Sequence, residues 1–249
     1  MIQIERLYKK YGKVKALKGI NLTFNLDQVV ALVGPNASGK TTLIKCLLGM
    51  VIPDEGRILF DGKDIKGDVQ YKKRIGYVPQ IGRYPDNMLM GYLFGMMKDL
   101  GKIRLKDNFD EELIVAFHLE EMFGKPMRVL SGGTRQKVSA ALAFMFNPDV
   151  IILDEPTAGL DPLASEILKQ KIHKEREAGK LLIVTSHIMS EVEEIADSIA
   201  YIVEGEALFY KSIAEIKSES GEERLGKALF HLLQQKNDQD NKIRTARYI

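Results

Sequence analysis

A chain of 249 residues, 45% hydrophobic and 28% charged, carries enough apolar material for one large core or a core with a satellite, and is not a disordered sequence. The formal net charge of +2, with Lys and Arg interspersed among Asp and Glu, lacks the basic footprint of nucleic-acid binders, so no nucleic-acid partner is indicated. The single cysteine, Cys46, excludes a disulfide framework and a cysteine metal cluster; no stretch reaches the roughly 20 apolar residues that cross a bilayer, so a cytoplasmic chain is expected, with any membrane role borrowed from a partner.

In chain order, alternation over Ile2 to Leu7 and Ile20 to Leu26, and a β-prone run from Arg57 to Asp61 after the turn at Pro53 to Gly56, predict an antiparallel β lobe. The apolar run Val29 to Val33 predicts a core strand, and Ile75 to Pro79 predicts another. From Asn87 to Phe123 the period turns helical, with helices expected over MLMGYLFGMMKDL and DEELIVAFHLEEMF, separated by GKIRLKDNF; this reads as an inserted helical subdomain. Val150 to Leu153 and Leu181 to Thr185 are continuous apolar runs suited to strands buried on both faces of a parallel sheet. Ser198 to Val203 and Ala207 to Tyr210 read as a hairpin around Glu204-Gly205-Glu206. Past Lys211 the chain is polar, with one helix expected over Glu222 to Gln235 and a basic, frayed end.

Gly34-Pro35-Asn36-Ala37-Ser38-Gly39-Lys40-Thr41-Thr42 fits G-x-x-x-x-G-K-[ST] between an apolar strand and a helix. That context aims backbone N–H groups and a helix N-terminus at one polyphosphate; Lys40 reaches the outer phosphates and Thr41 offers a hydroxyl to Mg²⁺. Two acids, Asp154 and Glu155, close the strand VIILDEP, placing one carboxylate for Mg²⁺ and the next where it polarises an attacking water. LSGGTRQKVSAALAF supplies a second anion-binding helix start, with Ser131 as N-cap and Gly132 and Gly133 leaving backbone N–H groups uncovered.

Leu130 to Gln136 resembles the signature motif of ATP-binding cassette (ABC) ATPases, with Thr134 standing where the common form has Gln. The resemblance covers residues 1 to about 210 and implies an α/β fold: a P-loop NTPase, RecA-like core with a mostly parallel sheet, an N-terminal antiparallel β lobe and a helical subdomain at about 87–147, followed by a C-terminal helical tail at 211–249. It implies ATP and Mg²⁺ as cofactors and a homodimer of ATPase subunits, in which Ser131, Gly132 and Gly133 touch the partner's γ-phosphate and the loop containing Asp161 crosses the interface. By the same resemblance Tyr11, with Tyr8 as rival, stacks on adenine; Gln80 contacts Mg²⁺ and links to the helical subdomain; His187 hydrogen-bonds the γ-phosphate. The remaining histidines, His118, His173 and His231, sit in helix-like contexts.

The functional expectation is an ATP-hydrolysing subunit, peripheral on the inner face of the membrane through a separate integral-membrane subunit. Met88, Leu89, Met90, Tyr92, Leu93, Phe94, Met96 and Met97 read either as the groove for that subunit or as subdomain core. A P-loop kinase would leave the signature helix and His187 unexplained. A soluble ABC ATPase acting on ribosomes or DNA would carry a second cassette, a coiled-coil insertion, zinc modules or basic arms. Within exporters, PQIGRYPDNM together with LSGGTRQKVSAALAF resembles the ATPase subunit of the copper-processing system that matures nitrous oxide reductase, with drug or lipid export as the alternative.

Overall fold

The structure, a computed structural model, describes residues 2–105 and 108–246. In chain order the strands and helices are β1 Ile2–Tyr11, β2 Val14–Phe24, β3 Gln28–Val33, α1 Lys40–Leu47, β4 Glu55–Phe60, β5 Lys63–Asp64, β6 Ile75–Val78, α2 Met90–Leu105, α3 Glu112–Ala116 and α4 Gly132–Phe144. They continue with β7 Val150–Asp154, α5 Pro162–Glu177, β8 Leu181–Thr185, α6 Met189–Ile195, β9 Ser198–Val203, β10 Glu206–Ser212, α7 Ile213–Ser220 and α8 Leu225–Ala246.

Two sheets result. β2-β1-β4-β5 form an antiparallel sheet; β10-β9-β3-β8-β7-β6 form the second, parallel throughout except for its edge pair β9/β10. The continuous apolar runs of β3, β7 and β8 occupy the centre of this sheet because every residue after Gln28 is buried, which leaves no face for water. α1 lies between the sheets, burying Leu43, Ile44, Cys46 and Leu47 in a cluster with Ile4, Leu22 and Ile58 of one sheet and Val30, Ile152 and Ile183 of the other. On the far face, a second cluster joins α2, α3 and α4 to α5 through Met90, Phe94, Ile114, Val138, Phe144 and Leu168. Lys171 of α5, 3% exposed, is held there by Asp110, Glu112 and Glu175; burial works against its charge, but these three acceptors outweigh it and raise its pKa.

Several expected elements differ. β1 and β2 run longer than alternation indicates, meeting at the pair Tyr11↔Val14 across Gly12 (φ 56); the lysine-rich ends of this hairpin are solvated on both faces and so carry no apolar pattern. The helix expected across DEELIVAFHLEEMF breaks at His118 (φ 53, left-handed) into α3 and a 3₁₀ turn over Leu119–Met122. Among the described residues the tail holds two helices where one was expected. α7 starts in a full capping box between Ser212 and Glu215, and α7 and α8 bury Ile213, Ile216, Leu225, Ala228 and Leu229 against Ala31, Val33 and Ile199. Phe109, part of the polar separator, packs against Phe146 with ring centroids 6.0 Å apart.

Candidate active site

β3 delivers the chain into Gly34–Gly39, and α1 begins at Lys40. Gly34 has φ 149, and a Cβ there would stand 1.9 Å from the carbonyl oxygen of Ile202, so the loop lies directly against β9 and admits no side chain at this point. The N-cap of α1, Gly39, offers no side-chain cap, which leaves the first-turn N–H groups for an anion. Ser38 Oγ is buried without a hydrogen-bond partner, an orphaned donor that a phosphate oxygen would satisfy. Lys40 Nζ donates to the carbonyls of Gly34 (2.7 Å) and Pro35 (2.9 Å); burial lowers its pKa while Glu155 and Asp154 act in the opposite sense. The residues present therefore fit a polyphosphate.

The two acids sit at the carboxyl edge of the parallel sheet. Asp154 is 6% exposed and accepts a hydrogen bond from Thr185 Oγ1 at 2.6 Å; burial pushes its carboxyl up, and the adjacent Glu155 adds to the rise against that hydrogen bond. Glu155 adopts φ 51, an uncommon backbone for a residue with a side chain. Its carboxylate accepts from Gln80 Nε2 at 3.2 Å and lies 3.3 Å from His187 Nδ1. Gln80, Glu155 and His187, separated widely in sequence, thus meet because β6, β7 and β8 are neighbours ending at one edge. Thr41, Gln80 and Asp154 provide hard oxygen donors of the kind Mg²⁺ takes. Among the described residues no group of three or more His, Cys, Asp or Glu forms a metal cage, so such an ion would take further oxygens from phosphate or water.

A cavity of about 680 Å³ is lined by Asn36, Ala37, Ser38, Gly39, Lys40, Thr41 and Thr42 together with Gln80, Asp154 and Glu155. Lys13, Val14, Lys15, Ala16, Lys18, Thr185 and Glu204 complete its wall. In the sequence that wall shows only as the turn YGK in a lysine-rich stretch. Tyr11 is not among the lining residues. Its half-exposed ring lies 5.6 Å from Lys9 Nζ, just before the wall segment, while Tyr8 covers Gly19.

Ser131 caps α4, its Oγ accepting from Thr134 N at 3.1 Å and pairing with Thr134 Oγ1 at 2.9 Å. The Thr that departs from the common signature therefore engages the cap itself. A Cβ on Gly133 would stand 2.5 Å from the Gly159 carbonyl, Gln136 Nε2 donates to Pro156 O, and Lys137 Nζ reaches Asp161 Oδ2 at 2.7 Å. Asp161 Oδ1 accepts Ala164 N at 2.9 Å as the N-cap of α5, so both carboxylate oxygens are engaged within the chain. Glu191 accepts from Thr157 Oγ1 and Ser186 Oγ, tying the turn after Glu155 to the segment before His187. None of Ser131, Gly132, Gly133 or Asp161 lines the nucleotide cavity.

A strand, an uncapped helix start and two strand-end acids, with a separate capped glycine pair feeding a second helix, define a P-loop ATPase of the ATP-binding cassette type. Residues 17–158 match the family model described as ABC transporter, and the chain belongs to that family. Nod factor export ATP-binding protein I of Ralstonia nicotianae is 32% identical over 209 residues, covering 82% of this chain and 65% of that protein, so the chain spans about two thirds of the relative's length. Among solved structures, one described as the ATP binding subunit of an ABC transporter superposes with a TM-score of 0.83 at 23% identity, covering 94% of this chain and 99% of that one. The dimeric structure of a bacterial ABC transporter cassette gives 0.73 at 25% identity, over 85% and 98% of the two chains.

Proposed function

We propose that this chain is the ATP-binding and ATP-hydrolysing subunit of an ABC membrane transporter, and that two copies close head to tail around ATP. The observation that carries this reading is the division of the two anion cradles: the cavity at Lys40 contains no residue of Ser131 to Gly133, so each chain presents half of two sites. Glu155, held by Gln80 and His187, is the carboxylate that takes a proton from the attacking water, and Asp154 with Thr41 and Gln80 would hold Mg²⁺. Bound there, that ion would neutralise phosphate charge. ATP hydrolysis and release then remove the contacts that keep the pair closed, and the motion passes to the docked membrane subunit. Tyr11 pairs with Val14 of the cavity wall across the β1/β2 hairpin and is proposed to contact adenine.

The docking surface is a groove of about 790 Å³ between the sheet edge and the helical subdomain, lined by Tyr77, Tyr84, Met97, Leu100, Leu142 and Phe146 among others. The Met-rich segment divides across it: Met90, Leu93 and Phe94 are core, Met88 and Met97 pack partly against that core, and Leu89, Tyr92 and Met96 are exposed. Leu100, 70% exposed, is the sharper probe. Leu100→Glu leaves thermal stability and nucleotide binding at wild-type levels and abolishes co-purification of a membrane subunit from detergent extract; unchanged capture would remove the groove as the docking site. Met90→Glu buries a charge in the core and unfolds the subdomain. No helix of the described residues is long and apolar enough to cross a membrane, which is consistent with attachment through that partner. The narrower reading, copper processing for nitrous oxide reductase, rests on the wording of PQIGRYPDNM and LSGGTRQKVSAALAF, and drug or lipid export is its alternative.

A further inference from the structure

Thr185, the last residue of β8, is 2% exposed and sits in register with Asp154 across the β7/β8 pair. Its Oγ1 donates to Asp154 Oδ1 at 2.6 Å and accepts the Glu155 backbone N–H at 2.9 Å. The Glu155 N–H also lies 3.2 Å from the Thr185 carbonyl oxygen, so one residue receives this amide through both its main chain and its side chain. One hydroxyl therefore touches both strand-end acids, through the side chain of one and the backbone of the next.

That arrangement answers a local conformational problem. Glu155 has φ 51, a backbone region in which a residue with a Cβ is held only by its surroundings. The apolar strand before it ends at Asp154, and the next turn begins with Pro156, whose own nitrogen has no hydrogen to donate. Between Asp154 and Pro156 the amide of Glu155 is the main-chain donor, and Thr185 is what it bonds. The same Oγ1–H is committed to the Asp154 carboxylate, so the hydroxyl has a fixed orientation with its lone pair toward Glu155. The side chain of Glu155 then projects toward Gln80 and His187, which it reaches at 3.2 and 3.3 Å.

We infer that Thr185 is a positioning residue for hydrolysis, its hydroxyl holding the backbone of Glu155 in the bent conformation that points the carboxylate at the reacting water. It does not touch nucleotide through this bond. The inference rests on the proposed role of Glu155, and acts through that residue. Removing the hydroxyl frees the Glu155 amide from one of its two acceptors and takes from Asp154 the donor that Thr185 supplies, so the carboxylate loses its aim, while the strand pairing of Thr185 with Leu32 of β3, which leads into the phosphate loop, is kept.

The test measures steady-state ATP hydrolysis and equilibrium binding of ATP for wild type, Thr185→Val, Thr185→Ser, Thr185→Ala and Glu155→Gln. Thr185→Val lowers kcat about tenfold to a hundredfold with KM and ATP affinity near wild type, since a displacement of order 1 Å at a reacting group costs about that much. Thr185→Ser restores turnover to within about threefold of wild type, because it keeps the hydroxyl. Ser and Ala both lack the threonine methyl and differ only in that hydroxyl, so their ratio of kcat decides the matter even where Thr185→Val folds poorly. Equal kcat in the Ser and Ala variants, or wild-type kcat in Thr185→Val, overturns the positioning role. If Glu155→Gln itself turns over at the wild-type rate, the proposed role of Glu155 fails instead, and the two failures are told apart.

Discussion

Glu155→Gln binds ATP with wild-type affinity, hydrolyses it about 10²- to 10⁴-fold more slowly, and accumulates as an ATP-bound dimer on size exclusion. The substitution preserves the shape of the side chain that meets Gln80 and His187 and removes only the basic oxygen. The phosphate loop comes from other elements and is not altered, so binding and chemistry separate. A single-turnover assay with radiolabelled ATP checks the rate, and wild-type turnover in this variant sinks the assignment of Glu155.

Gly34→Ala is the second large effect, and it acts on the cradle itself. The methyl would stand 1.9 Å from the Ile202 carbonyl oxygen on a backbone with φ 149, so either β9 or the loop must move. Strain and overpacking together cost about 2–5 kcal/mol, and the loop that survives no longer presents its N–H groups to phosphate. The expected result is a lowered urea midpoint together with loss of detectable binding of a fluorescent ATP analogue. Wild-type binding in a folded Gly34→Ala protein would show that close approach of the loop to β9 is dispensable.

The parts of the site legible in the sequence are those whose chemistry is written in local spacing. Gly34 to Thr42, Asp154 with Glu155, and Ser131 to Gly133 each need only a strand or helix beside a short run of specified residue types, and all three have the predicted neighbours. The convergence of Gln80 and His187 on Glu155 depends instead on strand order, which sequence periodicity does not contain; family resemblance placed these residues. Thr185 was hidden for the same reason. As the last letter of an apolar strand it looks like core, and its two hydrogen bonds arise only from the register of β8 beside β7.

The misses in the fold have separate causes. The β1/β2 hairpin extends through KKYGKVK because hydrogen-bond pairing alone sustains it where neither face is buried. The α3 break at His118 comes from a left-handed residue without glycine, which periodicity cannot register. α7 was within reach: Ser212 and Glu215 stand at capping-box spacing, but the polar composition past Lys211 masked a helix whose Ile213 and Ile216 complete the third core cluster. The buried Lys171 network joins residues far apart in the chain, and no local pattern announces it.

In the proposed mechanism two chains share each ATP, and subunit mixing reads this out. Lys40→Ala removes the lysine of one cradle, and Gly132→Asp places a negative charge at the start of α4, in a position whose Cβ meets open space and so does not disturb folding. Each variant alone forms dimers with two defective sites and is inactive. A heterodimer joins an intact Lys40 to an intact Ser131–Gly133 segment across one of its two sites, so the mixture regains ATP hydrolysis in proportion to the heterodimer present. An inactive mixture, with subunit exchange demonstrated by differential tagging, would contradict the sharing of each ATP between two chains.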